Sequence, residues 1–272
     1  MQPTDWPREV TLRVFVDKPE FILNPTSCER SSAKATLFGA FRNVFDPSDD
    51  IPVDLSTPYQ AASCASLAFK PKLALELHGG TKRGDHPALK AVVTARNADA
   101  NIGKAVVTLP TSAFLDQAHI RTICTRVQYA ANGGSGGGCP AASQYGYAKA
   151  YTPLLDEPVQ GPVYLRSSIH KLPDLVVALH GLVNVDISSR IDSFKGGIRS
   201  SFETIPDAPV SKFVLNMQGG KKGLVVNSRN LCAGTNRADA RFTGQNGVAY
   251  DFKPVVKPSC GKARKRHKKH RG

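Results

Sequence analysis

Residues 211–244, SKFVLNMQGGKKGLVVNSRNLCAGTNRADARFTG, decide how this chain is read. KFVLNM and GLVVN are short apolar runs of strand type, and QGGKKG between them is a turn. Cys232 then precedes a set of small residues, Ala238, Ala240 and Gly244. The same order recurs further out. Near the start, TLRVFV, the Asp17-Lys18-Pro19 turn and EFILNPTSC lead to Cys28, Ala33, Ala35 and Gly39. In the middle, KAVVTLP precedes Cys139, Ala148 and Ala150. A second match sets GPVYLRSSIHKLPDLVVALHG against SCASLAFKPKLALELHG, with Leu175 over Leu73 and His180-Gly181 over His78-Gly79, an offset of 102 residues.

Self-similarity at this period, with turn residues roughly every 8–12 positions, predicts an all-β chain of tandem β-sandwich modules of immunoglobulin-like size. The expected divisions are a partial module over residues 1–60, a sandwich over 61–160, a second over 161–260, and a disordered basic tail over 261–272. Residues 1–60 carry only the back half of the pattern, so the chain is expected to begin inside a module. Leu12, Val14 and Val16 alternate as a half-buried strand does, and FDPSDDIPVDLSTPYQ, residues 45–60, reads as a linker. One short helix is expected in the middle module, within SAFLDQAHIRTICTRVQ (112–128), where Ile120, Ile123, Cys124 and Val127 share a helical face.

The charge is unevenly placed. Lys and Arg number 36 against 22 Asp and Glu, a formal +14. Half of that excess lies in GKARKRHKKHRG, where Lys262, Arg264, Lys265, Arg266, Lys268, Lys269 and Arg271 are accompanied by no acid. Such a run cannot be buried and attracts polyanions by counterion release. An extracellular polyanion, such as a cell-wall polymer, is therefore the expected partner of these seven residues. Aromatics make up 7% of the chain, a poor supply for a sugar- or base-stacking platform.

Six cysteines, Cys28, Cys64, Cys124, Cys139, Cys232 and Cys260, contain no Cys-x-x-Cys or Cys-x-x-His pair, so disulfides in an oxidising compartment are expected rather than zinc. The repeats choose among the pairings. Cys28 and Cys232 both precede the Ala-x-Ala signature, and Cys64 and Cys260 both follow it. Equivalent positions should meet equivalent partners, which gives Cys28–Cys64 and Cys232–Cys260 and leaves Cys124–Cys139 across the glycine-rich loop. No cofactor or metal is expected. MQPTDWPREV lacks the apolar core of a signal peptide, and no run of 18 apolar residues could form a membrane-spanning helix.

No HExxH or phosphate-binding loop occurs in the sequence, and NGGSGGG (132–138), which spells Gly-x-Ser-x-Gly at 133–137, reads as a flexible loop and not as a nucleophile elbow. His78 and His180 repeat as packing residues do, without a repeated acid. GGTKRG and GGKKG read as solvated hairpin tips, and Arg83-Gly84-Asp85 is a three-residue match in a turn. Asp207, between prolines in IPDAP, reads as a turn former, and Asp186 and Asp192 lack the spacing of a calcium loop.

CPAASQYGYAKAYTPLL, GPVYLRSS, LPDLVVALHG, GGIRSSFETIPDAPVSKFVLNMQGGKKGLVVNSRNLC and the Cys-Gly-basic terminus together resemble uncharacterised exported multi-repeat proteins of actinobacteria, over most of residues 61–272. The resemblance implies an exported, multi-module protein, with further repeats of the same chain as neighbours, and brings no activity. The expected function is a non-catalytic structural or adhesive component of the cell surface. A secreted hydrolase, or its accessory binding module, is the alternative.

Overall fold

The structure is a computed structural model and describes residues 13, 15, 23–39 and 51–260. Leu12, Val14 and Val16 of the expected strand, Trp6 and the basic segment 261–272 lie outside the described residues.

The chain is all-β with three disulfides, Cys28–Cys64, Cys124–Cys139 and Cys232–Cys260. Two strands, β1 (Ser31–Gly39) and β2 (Ile51–Tyr59), form a separate antiparallel ribbon. The linker expected over 45–60 is thus a strand from 51 onward. Ile51, Val53 and Leu55 alternate, and Pro52 and Pro58 share the opposite parity, so both fit the side of an edge strand that has no ladder partner. Two short strands, β6 (Ala113–Leu115) and β13 (Val225–Asn227), form a two-stranded antiparallel ribbon of their own among the described residues.

The remaining thirteen strands lie in one sheet. In chain order they are β3 (Lys72–His78), β4 (Ala88–Thr94), β5 (Ile102–Thr108), β7 (Gln144–Tyr151), β8 (Val159–Arg166), β9 (Asp174–Leu179), β10 (Val185–Phe194), β11 (Gly197–Phe202), β12 (Lys212–Met217), β14 (Asn236–Arg237), β15 (Asp239–Gly244), β16 (Ala249–Phe252) and β17 (Val255–Pro258). Their spatial order is β14-β17-β3-β4-β12-β7-β8-β9-β10-β11-β5-β15-β16.

The two ends of that order are one hairpin. β14 runs into β15 through Ala238, and β16 runs into β17 through Lys253 and Pro254. Ala240 pairs with Phe252 in the outer half of this hairpin, and Asn236 pairs with Val256 in the inner half. One arm pairs with β5 (Ala240 with Val107), and the other pairs in parallel with β3 (Val256 with Leu75). The sheet therefore closes on itself. Counting each arm once, nine single strands and two arms make a curled, barrel-like ring of eleven staves; β14 and β16 each have one strand partner, and β10 pairs with β9 over 185–189 and with β11 over 190–194.

Strands from the two expected sandwich modules share this barrel. Residue 160 lies inside β8, and β12 from the later half sits between β4 and β7 of the earlier half. The repeats correspond to staves of one barrel. Leu73 and Leu175 do both face inward, yet β3 and β9 run in opposite directions, so the match reports alternation and not a copied module.

Alternation decides which side chains face in. Leu73, Leu75 and Leu77 of β3 stand opposite Val93, Ala91 and Leu89 of β4, and Phe213, Leu215 and Met217 of β12 continue the same rows. Lys72, Glu76 and Lys90 take the outer face. The signature alanines Ala148, Ala150 and Ala240 are buried inward positions. Ala33 and Ala35 instead lie on the exposed ribbon.

β9 is buried on both faces, and its outer cover is an insertion. Cys124 and Tyr129 pack with Val176 and Ala178 in a second small cluster outside the barrel. The helix there, α1 (Arg126–Ala130), starts later than expected. Cys124 is held extended against β8, donating its N–H to Leu165 and accepting from Ser167, so the helix begins only after it. Thr125 caps it through a capping box with Gln128.

Candidate functional site

The inside of the barrel is hollow. A cavity of about 510 Å³ runs through it, lined from β3, β4, β5 and β7–β12 and closed on the last side by Phe242 of β15. In a packed core, inward aliphatic side chains have almost no accessible surface. Here the inward Ala91, Val93, Ile187 and Phe213 all keep some, because they face open space. Eleven staves explain this, since barrel diameter grows with strand number and about eight already bring side chains into contact across the middle.

The lining is almost wholly aliphatic. Its polar members are Asn101, Thr152, Ser200 and Gln218, and none of its residues is charged, a histidine or a cysteine. At one end the loops after β7 and β9 contribute Leu154 and Val183, which line the lumen and are about half exposed. These mark its mouth. At the other end Pro87, Leu115, Leu224 and Val225 close the floor, backed by the β6–β13 ribbon and the buried Tyr145.

A cluster of polar bonds secures the chain near the mouth. Asp207 accepts from Thr26 N (2.8 Å), Thr26 Oγ1 (2.9 Å), Ser27 N (2.9 Å) and Asn101 Nδ2 (2.8 Å). The expected turn former is thus the anchor of the segment that carries Cys28. On the barrel's outside, the Arg199 guanidinium grips Asp192 with bonds of 2.8 and 2.6 Å and holds its carboxyl below the usual range.

Other residues singled out from sequence fall where packing explains them. His78 and His180 are not brought together: His78 pairs with Ala88 at the floor end, whereas His180 bridges Gln160 at the mouth end. His78 contacts Ser259 Oγ and Glu76 Oε2 on the outer surface. In the Arg83-Gly84-Asp85 turn the carboxylate accepts from Lys82 N at 2.8 Å, a bond within the turn itself. In the GGKKG turn, Lys222 Nζ donates to the Gln144 carbonyl at 2.9 Å and pins the loop to β7.

Sequence reading passed over three residues. His86, Asp116 and His119 meet just outside the floor, with one potential ligand atom from each within 4.8 Å of the others. His86 follows the Arg83-Gly84-Asp85 turn, and Asp116 and His119 fall in the segment 112–128 within which the short helix is expected. The available signal was Asp116-x-x-His119, a spacing that places both side chains on one side of a single turn. The hydrogen bond from His86 is the main reason Asp116 is held below the ordinary carboxylate pKa.

No helix among the described residues is long and apolar enough to cross a membrane, and the three disulfides are those of an oxidising compartment. No family model matches the chain, and neither the curated proteins nor the solved structures contain a match to it.

Proposed function

We propose that this chain is an exported binding protein that holds one apolar molecule, of acyl-chain type, in the barrel lumen without chemically altering it. The aliphatic cavity of about 510 Å³ carries this reading. Ligand sites of this kind fall at roughly 300–1,000 Å³ and use a few polar groups for orientation. At about 30 Å³ per water-sized group the lumen takes on the order of 17 such groups, the size of one long acyl chain. A void of that volume is costly. At about 24 cal/mol per Å³ it would cost on the order of 12 kcal/mol, as much as the whole stability of many domains. An apolar guest recovers contacts that the empty lumen forfeits. The lining supports binding over turnover, because it contains no nucleophile–base pair and no charged acid or base.

The test is a titration with 11-dansylaminoundecanoic acid, followed by competition with hexadecanoic acid. Saturable one-to-one fluorescence enhancement, reversed by the competitor, is expected; signal that rises without saturating would remove the proposal. The seven cations of 262–271 support a second property of the same protein, attraction to an anionic surface. Heparin binding should weaken steeply from low to physiological salt, and deletion of 261–272 should abolish most of it.

A further inference from the structure

We propose that His86, Asp116 and His119 form a binding site for a divalent transition-metal ion of the zinc class, at the outer side of the lumen floor. The three donors come from two separate loops. His86 lies near the end of the loop between β3 and β4; Asp116 caps the 3-10 turn Gln117–His119 that follows β6, and His119 is its last residue. His86 Nε2 lies 2.8 Å from Asp116 Oδ2, and His119 Nε2 lies 3.8 Å from the same oxygen. The two imidazoles are stacked, with centroids 4.1 Å apart and planes 20° from parallel, so both Nε2 atoms approach one carboxylate.

Two of the three donors are oriented by a second bond. His119 Nδ1 donates to the Gly223 carbonyl at 2.8 Å, which fixes the proton on Nδ1 and leaves the Nε2 lone pair toward Asp116. Asp116 Oδ1 accepts from Ala118 N at 3.0 Å, leaving Oδ2 for the site. Gly223 sits so close that a Cβ there would be 2.8 Å from the His86 Cβ, so a bare glycine lets this loop close over both rings. In the neutral ring, the Nε2 lone pair of His119 then faces that carboxylate oxygen across 3.8 Å. A proton relieves one ring–carboxylate pair; a metal ion satisfies all three donors at once.

Chemistry selects the ion. Two imidazole nitrogens and one carboxylate suit zinc and its neighbours, whereas calcium and magnesium take oxygen ligands. Zinc bonds of about 2.0–2.2 Å place tetrahedral ligand atoms roughly 3.3 Å apart, so the 2.8 Å pair need open by only about half an ångström. The side chains are 17–25% exposed, which leaves the fourth position to water. Each element of the site adjoins a residue of the lumen lining: His86 precedes Pro87, Asp116 follows Leu115, and Gly223 precedes Leu224. A bound ion therefore clips the floor together. The site stands independently of any lumen ligand.

The experiment uses the full chain, stripped with chelator, in a His267→Ala/His270→Ala background that removes the histidines of the basic tail. Cobalt(II) is titrated and read by visible absorption, and zinc is titrated by calorimetry. One equivalent of either ion should bind with a dissociation constant of about 1 μM or tighter, and zinc should raise the melting temperature. His119→Ala and Asp116→Asn should each weaken binding by at least about 100-fold, while His78→Ala leaves it unchanged. Circular dichroism checks that each variant folds. The cobalt spectrum of the unsubstituted site requires no variant at all. No binding by that protein up to 100 μM cobalt or zinc, or equal binding by folded His119→Ala, would overturn the site.

Discussion

Single residues show how little of the anchoring could be foreseen. Asp207 collects four hydrogen bonds, and two of its partners, Thr26 and Asn101, lie 181 and 106 residues away in sequence. Nothing in IPDAP announces such partners, because a carboxylate between prolines satisfies turn statistics equally well. Asp207→Ala leaves the N–H groups of Thr26 and Ser27 without their acceptor, at a cost of about 1–3 kcal/mol. The loss should be local. Amide exchange of Thr26 and Ser27 should accelerate by more than about tenfold while the amides of β8 and β9 keep their protection. Equal acceleration across the barrel would show that Asp207 supports the whole fold instead. Asp192 makes the pH case. Its folded pKa is lowered, chiefly by the hydrogen bond from Arg199, so the stabilisation it gives is present above the ordinary carboxylate pKa. That contribution disappears as pH falls through the lowered folded value. Asp192→Asn should therefore narrow the stability difference between pH 7 and pH 3, and an unchanged acid profile would contradict the pairing.

Elements were more legible than contacts. The three expected disulfides are the ones observed, although the module equivalence used to choose them is not, and the alternation of Leu73, Leu75 and Leu77 is the inward face of β3 as it stands in the barrel. Helix α1 was misplaced because Ile120, Ile123, Cys124 and Val127 do sit at helical spacing. The structure uses them otherwise: Cys124 extends the edge of β8, and Val127 is largely exposed. What covers the outer face of β9 is the segment tied by Cys124–Cys139. Replacing both cysteines by serine should cost about 3 kcal/mol for a loop of 15 residues. It should also uncover Val176 and Ala178, which a rise in binding of a hydrophobic dye would report. A variant with wild-type stability and no added dye binding would show that the loop holds by packing alone.

At the scale of the whole molecule, sequence and structure part company for a physical reason. A period of two says which side chains face in, but not which strands are neighbours, and any stave looks like any other. The strands therefore read as repeated modules, whereas pairing of β12 between β4 and β7, and of one hairpin with both β3 and β5, makes a single closed barrel. The hollow follows from that closure, so it too was invisible beforehand. Because the space is free, filling it should be tolerated. Ala91→Phe and Ile187→Phe place rings into the lumen and should change stability by less than about 1 kcal/mol, where a packed core would lose about 1–3. Both should abolish uptake of the dansyl fatty acid. The most direct measurement is a crystal structure of the protein grown with a terminally brominated hexadecanoic acid, read by bromine anomalous scattering. The account expects one strong peak inside the barrel, among Ala91, Ala150, Ile187 and Phe213, and none in the Ala91→Phe protein. Bromine found only on the outer surface, or a lumen filled by its own side chains, would contradict it.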